Sequence, residues 1–191
     1  MLTGLDQPTD GTISLNGEDI TRWTPARRSH AGLARTFQHG HSFAGLTVRE
    51  NIEVAALGVD ESPAVARERA DELLGLLHLE QHADQPAAGL PHGAERLLGV
   101  ARALATDPRF VLLDEPAAGL NEDEAAEFAD VIRRIRTDHT EGVLLIAHNI
   151  SLVFDVCERI YVLDQGELLA EGTADELRAN PEVLAAYLGH G

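Results

Sequence analysis

The stretch "RFVLLDEP", residues 109–116, indicates the fold more clearly than any other part of the sequence. Its apolar run ends in two adjacent carboxylates, Asp114 and Glu115, and Pro116 then stops the strand. A continuous apolar run of this kind is typical of a parallel strand that is covered on both faces. Two acids at the carboxyl end of such a strand suit Mg²⁺ and a polarised water. The stretch therefore predicts an α/β protein and raises the question of which loop holds a phosphate.

Further strands are predicted on both sides of this run. "GLARTFQ" (32–38) reads as a short strand, and "GVLLIAH" (142–148) reads as another buried one. "GTISLNGEDI" (11–20) alternates like a half-exposed strand with a turn at Asn16-Gly17. Residues 159–172 predict a hairpin about Gln165-Gly166. We find no linker and no internal repeat in the sequence, so a single domain is expected.

Helices are predicted between and after these strands. Residues 46–106 follow a 3.6-residue apolar period and predict a helical insertion. Asn121 stands before three acids, which is typical of a helix N-cap, and two short helices are expected at the end of the chain. Met1 to Gly4 resembles the last turn of a helix. Arg67 and Asp71 lie four residues apart and predict a solvated ion pair on a helix face.

The composition narrows the class of protein. The 191 residues include 32 acids and 15 bases, and a net charge of −17 disfavours nucleic acid and anionic membrane surfaces as partners. No run approaches the length of a membrane span and no signal pattern is present, so a cytoplasmic location is expected. The single cysteine, Cys157, excludes an internal disulfide and is expected to be an inert, buried thiol.

Several motifs occur in a fixed order along the chain. They are "TFQ" (36–38), "LPHGAERLLGVARALATDP" (90–108), "VLLDEPAAGLN" (111–121) and "LLIAHN" (144–149). Together they resemble the ATP-binding subunit of an ABC transporter over essentially the whole chain. The stretches "ARTFQ", "LTVRENIEVAALG" and "RIYVLDQGELLAEGT" are similar to the branched-chain amino-acid importer branch of that family. The resemblance implies an ABC ATPase fold of the P-loop type, with residues 1–45 and 107–191 in the core and 46–106 in a helical signature subdomain.

The resemblance also implies roles for four residues. Asp114 matches the end of the Walker B strand, which holds Mg²⁺ through water, and Glu115 matches the general base for the attacking water. Gln38 matches the glutamine that reaches Mg²⁺ and this water, while its loop touches the membrane partner. His148 matches the histidine that contacts the γ-phosphate. ATP and Mg²⁺ are the implied cofactors.

The signature and D-loop stretches depart from the family pattern. Where the family has Leu-Ser-Gly-Gly-Gln, this chain has Leu90 followed by Pro91, His92, Gly93 and Ala94, and then Glu95. Pro91 replaces the serine whose hydroxyl contacts phosphate. Gly93 is expected to open a helix whose free amide groups bind an anion. In the D-loop, the stretch Gly119, Leu120, Asn121 has asparagine in place of the usual aspartate.

The phosphate-binding loop itself is not found. A loop of the form G-x-x-x-x-G-K-[ST] needs a lysine for the phosphates, and all 15 bases of this chain are arginine. The family places that loop before a helix that ends in a stretch like "MLTGLDQPTDG" (1–11). The resemblance therefore implies that Walker A, the first strands, among them the central parallel strand, and an aromatic that stacks on adenine are missing.

Alternative interpretations stay open. The chain is the larger part of an importer ATPase, or it is a degenerate subunit that offers only its signature helix to the intact loop of a partner. A soluble ABC protein outside transport is a third interpretation, which "LTVRENIEVA" (46–55) disfavours because it resembles the surface that docks on a permease. Without the central strand, the chain alone is expected to be poorly stable and inactive as an ATPase.

The implied partners are a second ABC ATPase subunit, identical or different, and membrane permease subunits. A solute-binding protein would act indirectly. The resemblance places the chain at the inner face of the cell membrane, attached through the permease. His39 and His41 form an H-x-H pair, but no neighbouring cysteine or carboxylates complete a metal shell, so metal binding there is not expected.

Overall fold

Seven short strands lie in residues 1–36 and 42–188, the part of the chain that the computed structural model describes. The strands β3, β4 and β5 form a parallel sheet in that order, and the other four form two separate hairpins. Their bounds are β1 (Ser14–Leu15), β2 (Glu18–Asp19), β3 (Leu33–Arg35), β4 (Phe110–Asp114), β5 (Gly142–Ile146), β6 (Ile160–Asp164) and β7 (Glu167–Gly172). The parallel sheet predicted from the apolar runs is confirmed, although β5 ends at Ile146, two residues earlier than expected.

The helices fall where the 3.6-residue period indicates, with two additions. Their bounds are α1 (Pro25–His30), α2 (Val48–Leu57), α3 (Pro63–Leu76), α4 (His92–Leu104), α5 (Glu122–Arg134), α6 (Ile150–Val156), α7 (Ala174–Arg178) and α8 (Pro181–Leu188). A π-helical turn at Ile135–His139 extends α5. The short helices α1 and α6 are not among the predicted elements. In the part of the chain that the structure describes, none of the helices has the length and hydropathy of a membrane span.

The turns and caps that the sequence predicts are present. Asn16 and Gly17 both have positive φ, 52° and 82°, which is the pattern of a type I′ hairpin turn between β1 and β2. Gln165 and Gly166 do the same between β6 and β7. Asn121 caps α5 by accepting a hydrogen bond from the amide of Glu124 at 2.9 Å. These features are local in sequence, and therefore a sequence pattern predicts them well.

The parallel sheet has one covered face and one open face. Side chains alternate along each strand, so Ala34, Val111 and Leu113 share one face, where all three are buried in the main core with residues of α4 and α5. On the opposite face, in register with β4, Leu144 is 43% exposed and Ile146 is 51% exposed. Parallel sheets normally have helices on both faces. The described residues cover only one face of β5.

A wide groove separates β5 from β6. The two strands belong to different sheets, and a cavity of about 990 Å³ lies between them, lined by residues 142–147 and 158–163. Tyr161 and Leu163 of β6 are 55% and 64% exposed. The other face of β6, with Ile160 and Val162, packs against α7 and α8 in a small second core. The free edges of two strands therefore face each other across this groove.

The first residues of the chain form a turn fixed by a buried arginine. Gly4, at φ 80°, donates its amide to the carbonyl oxygen of Met1 at 2.9 Å, as at the end of a helix. Arg28 is fully buried and donates to the carbonyl oxygens of Met1 (2.9 Å) and Leu2 (2.7 Å). It also donates to the carbonyl oxygen of Thr21 at 2.8 Å. This arginine thus fixes the turn, whose sequence resembles a helix end.

One local prediction is wrong, and one agrees with the structure. Asp71 pairs with Arg49 of α2 rather than with Arg67, because α2 packs beside α3 and presents a better-placed cation. Arg before Asp at four residues is also the less favourable order on a helix. Cys157 is half-buried, and burial raises the pKa of its thiol, as expected for an unreactive cysteine.

Candidate active site

Asp114 is the last residue of β4, on the open face of the sheet. Arg35 of β3 lies on the same face, and its Nη2 donates to Asp114 Oδ2 at 3.3 Å. The amide of Asp114 donates to the hydroxyl of Thr36 at 3.0 Å. Both side chains of the ion pair keep about a quarter of their surface, 25% and 29%. The carboxylate is therefore held from the neighbouring strand and still reaches solvent.

Glu115 turns sharply away from the strand that precedes it. Its φ is +49°, in the left-handed region that non-glycine residues adopt at a cost of about 1–3 kcal/mol. Its amide donates to the carbonyl oxygen of Ile146 at 2.8 Å. This turn directs the carboxylate towards His148, whose Nδ1 lies 2.8 Å from Glu115 Oε2. The structure thus brings together two residues that the sequence analysis singled out from separate motifs.

His148 and Glu115 differ in their access to solvent. The imidazole is 75% exposed, whereas the carboxylate is 21% exposed. The histidine follows β5 by two residues, so it stands at the same edge of the sheet as Asp114. The carboxyl ends of neighbouring parallel strands form the edge at which α/β proteins bind ligands. Asp114, Glu115 and His148 are therefore grouped at one edge.

The signature stretch forms the start of α4. The helix begins at His92, one residue before the predicted Gly93, and Pro91 is its N-cap. Pro91 makes no side-chain hydrogen bond because it has no hydroxyl, and its carbonyl oxygen accepts the amide of Glu95 at 2.9 Å. Ala94 lies in the first turn. The first turn of α4 therefore has no side-chain cap, and the predicted loss of a hydroxyl contact to phosphate at Pro91 stays a prediction.

The D-loop packs directly on this helix start. A Cβ placed on Gly93 would lie 3.5 Å from Leu120 Cδ2, and a Cβ on Gly119 would lie 3.6 Å from His92 Cδ2. Gly119 has a φ of 84°, a conformation that side chains rarely adopt. The signature and the D-loop were predicted as separate motifs. The structure makes them one contiguous surface.

Two arginines of this site were not predicted. Arg35 pairs with Asp114, and Arg96 of α4 donates to the carbonyl oxygen of Glu115 at 2.6 Å. Both contacts join residues that are far apart in sequence, so no local pattern indicates them. Gln38, with His39 and His41, lies outside the residues that the structure describes.

The described residues offer few of the ligands that Mg²⁺ would need. No group of three or more potential ligand residues occurs in residues 1–36 and 42–188. Asp114 offers one partly exposed carboxylate, and Glu115 is directed to His148. Mg²⁺ in nucleotide sites commonly takes one or two carboxylates and completes its shell with phosphates and water. The partly exposed carboxylate of Asp114 therefore fits a residue that could hold such an ion, through water as the resemblance implies.

Comparison with known proteins identifies the family. The model of the ABC transporter family matches residues 1–118, and the model of the branched-chain amino acid ATP-binding cassette transporter matches residues 167–191. The chain belongs to the ATP-binding subunits of ABC transporters. This agrees with the resemblance noted in the motifs and with an α/β fold built on a parallel sheet.

Two relatives in the ABC family have names that describe transport. The high-affinity branched-chain amino acid transport ATP-binding protein LivG of Salmonella typhimurium is 39% identical and matches 98% of this chain and 80% of its own length. The lipopolysaccharide export system ATP-binding protein LptB of Haemophilus influenzae is 35% identical and matches 99% of this chain and 78% of its own. A crystal structure of a nucleotide-free ATP-binding cassette superposes with a TM-score of 0.83 at 27% identity, covering 97% of this chain and 80% of that one.

Proposed function

We propose that the chain is the ATP-binding subunit of an importer that couples ATP hydrolysis to uptake of a small solute, with branched-chain amino acids as the solute class. The name of the LivG relative and the family match at residues 167–191 support this choice over export. Its partners are a second ABC ATPase subunit, identical or different, and membrane permease subunits. A solute-binding protein acts through the permease. The chain is held at the inner face of the membrane by the permease.

The observation that carries this proposal is the contact between Glu115 and His148 beside Asp114. Glu115 accepts a proton from the attacking water or orients that water, because its carboxylate is largely buried but still reaches solvent. His148 holds that carboxylate through Nδ1 and leaves the rest of its exposed ring free to meet the γ-phosphate. Asp114 would hold Mg²⁺, which supplies charge neutralisation at the phosphates when bound. Gln38 is proposed to reach the same ion and water.

The signature residues act on a different nucleotide from Glu115. Pro91, His92, Gly93, Ala94 and Glu95 present the first turn of α4, and the amides of a helix start attract anions. We assign this end to the ATP held by the opposite subunit, with Gly119 and Leu120 of the D-loop packed beside it and Asn121 next in the chain. The serine hydroxyl replaced by Pro91 is not available for that contact. The affinity contributed by this signature is therefore lower than that of a serine-containing one.

A second candidate function follows from the part of the site that would bind the phosphates of ATP. The sequence has no lysine for a phosphate-binding loop. The groove between β5 and β6 and the open face over Leu144 and Ile146 match the place of a further strand and its following helix. These observations support the proposal that the 191-residue chain binds no ATP by itself. Alone it would serve as a half-site, offering its signature helix to a partner's loop.

The test separates the two functions. ATP binding and turnover are measured on the 191-residue chain alone, and then on its mixture with an ABC ATPase subunit that has an intact phosphate-binding loop. We expect no binding by the chain alone and turnover in the mixture. Gly93→Asp should abolish turnover in the mixture, because a carboxylate at the helix start repels the γ-phosphate.

Matched variants identify which site is used in that mixture. Glu115→Gln should abolish turnover if the chain's own site works. If Glu115→Gln has no effect while Gly93→Asp abolishes turnover, the chain is a half-site. ATP turnover by the chain alone would contradict the proposal that the 191-residue chain binds no ATP by itself.

A further inference from the structure

Arg96 lies one turn into α4 and connects that helix to the strand end at Glu115. Its Nη1 donates to the carbonyl oxygen of Glu115 at 2.6 Å. Its Nε and Nη2 both lie 3.2 Å from His92 Nε2. Because a guanidinium only donates, His92 Nε2 is the acceptor in this contact. Arg96 thus joins the first residue of α4 to the backbone of Glu115.

The contact falls on a residue with an unfavourable backbone conformation. Glu115 is a non-glycine residue of the site with a left-handed backbone, at φ +49°. Its amide is bound to the carbonyl oxygen of Ile146 (2.8 Å), and its own carbonyl oxygen also accepts the amide of Ala118 at 3.3 Å. The short bond from Arg96 completes this set. A non-glycine residue in this conformation persists only where its surroundings fix it.

The orientation of the carboxylate depends on that backbone. A rotation of the peptide at Glu115 towards an ordinary strand conformation would swing the side chain away from His148, which it now contacts at 2.8 Å. The guanidinium does not touch the carboxylate itself in any contact given by the structure. Its effect on Glu115 is therefore exerted through the main chain.

We propose that Arg96 is a positioning residue that fixes the left-handed backbone of Glu115 and ties it to the start of the signature helix. This inference rests on the proposed role of Glu115. Since His92 and Gly93 pack on Gly119 and Leu120, the arginine completes a closed connection from the helix start through the D-loop to the carboxylate. A displacement of the helix start is thereby passed to Glu115.

Hydrogen exchange on the full 191-residue chain tests the proposal without any activity. Arg96→Met keeps the aliphatic stem and removes the donors, Arg96→Lys keeps a cationic donor, and Arg67→Met removes an exposed arginine of α3 as the control. We expect faster exchange of the amides of residues 115–120 in Arg96→Met, about tenfold, with partial recovery in Arg96→Lys and no change in the control. The exchange of residues 98–104, within α4, should stay the same.

Two exchange results would overturn the proposal. One is unchanged exchange at residues 115–120 in Arg96→Met. The other is a uniform increase throughout α4 and the sheet, which would indicate a role in folding alone.

Turnover in a complex with permease and an ATP-hydrolysing partner subunit adds a second readout. We expect Arg96→Met to lower kcat about tenfold with KM unchanged, and Arg96→Lys to keep most of the rate. An Arg96→Met rate equal to that of the unchanged chain, in a complex that Glu115→Gln inactivates, contradicts the proposal. If Glu115→Gln also leaves the rate unchanged, the proposed role of Glu115 fails, and the exchange result decides the positioning role by itself.

Discussion

The two faces of the parallel sheet are built from similar residues but are covered very differently. Val111 and Leu113 of β4 are fully buried beneath the helices, whereas Leu144 and Ile146 of β5 are about half exposed on the other face. The covered face is the side on which α4 and α5 complete a core. The open face is the side on which Asp114 pairs with Arg35 and keeps part of its carboxylate accessible to solvent. The comparison shows that the described residues complete a core on one face of the sheet and leave the other face, with Leu144 and Ile146, partly exposed.

The largest effect is expected when one leucine on each face of the sheet is replaced by alanine. Leu113→Ala removes a buried side chain and leaves a cavity, so we expect the free energy of unfolding to fall by about 3 kcal/mol. Leu144→Ala, on the adjacent strand, should lower it by less than about 1 kcal/mol, because that side chain is 43% exposed. Urea unfolding of both variants gives the comparison. Equal losses would mean that the open face is covered in solution.

A smaller effect is expected from the turn that borders the open face. Thr3 Oγ1 lies 3.4 Å from Arg35 Nη1, so the first residues approach the β3 side of that face. Arg28→Met deprives the carbonyl oxygens of Met1 and Leu2 of their buried donor, and we expect a loss of about 2 kcal/mol in the free energy of unfolding.

The neighbouring Arg27 serves as the control for Arg28. It is exposed and stacks on Trp23, so Arg27→Met should cost less than about 1 kcal/mol. Thermal melts and protease sensitivity near residue 5 check both variants. If Arg28→Met matched Arg27→Met, the buried arginine would not be what fixes the turn.

The smallest expected effect is the pH dependence of stability at the start of α2. Thr47 and Glu50 form a capping box at the start of α2, and the hydrogen bond from the Thr47 amide holds the pKa of Glu50 below its usual range. The pKa is lower in the folded state, so this stabilisation is present above the unfolded value of about 4.3 and is lost as pH falls through the folded value.

The matching variant for this pH effect is Glu50→Gln, which retains a hydrogen-bond acceptor but does not titrate. The stability difference between Glu50→Gln and the unchanged chain should shrink between about pH 7 and about pH 3. Urea midpoints at the two pH values measure it. A stability difference that stays constant with pH would show that the charge of the Glu50 carboxylate is not the cause.

The sequence predicts those parts of the fold and site that depend on neighbours along the chain. The apolar run before Asp114, the cap at Asn121 and the turn at Gln165-Gly166 are each determined within a few residues, and all three are confirmed. Glu115 and His148 were identified through motifs, and the structure places them in contact. Their catalytic roles stay predictions.

The rest depends on packing between distant segments. Arg35 and Arg96 acquire their contacts only when β3 and α4 are placed beside the end of β4, so no pattern near them indicates a role. The Arg67–Asp71 pairing failed for the same reason, because α2 supplies a nearer cation in Arg49. The proposed division at residues 46 and 106 stays a prediction.

The left-handed backbone of Glu115 also has a consequence for how this protein evolves or is engineered. Glycine adopts that conformation without cost, and asparagine does so more easily than glutamate. A selection that rewards only thermal resistance would therefore favour Glu115→Gly or Glu115→Asn and discard the carboxylate. Under the proposed role of Glu115, retaining glutamate at this position exchanges stability for activity, and stability-guided redesign of the chain should leave position 115 unchanged.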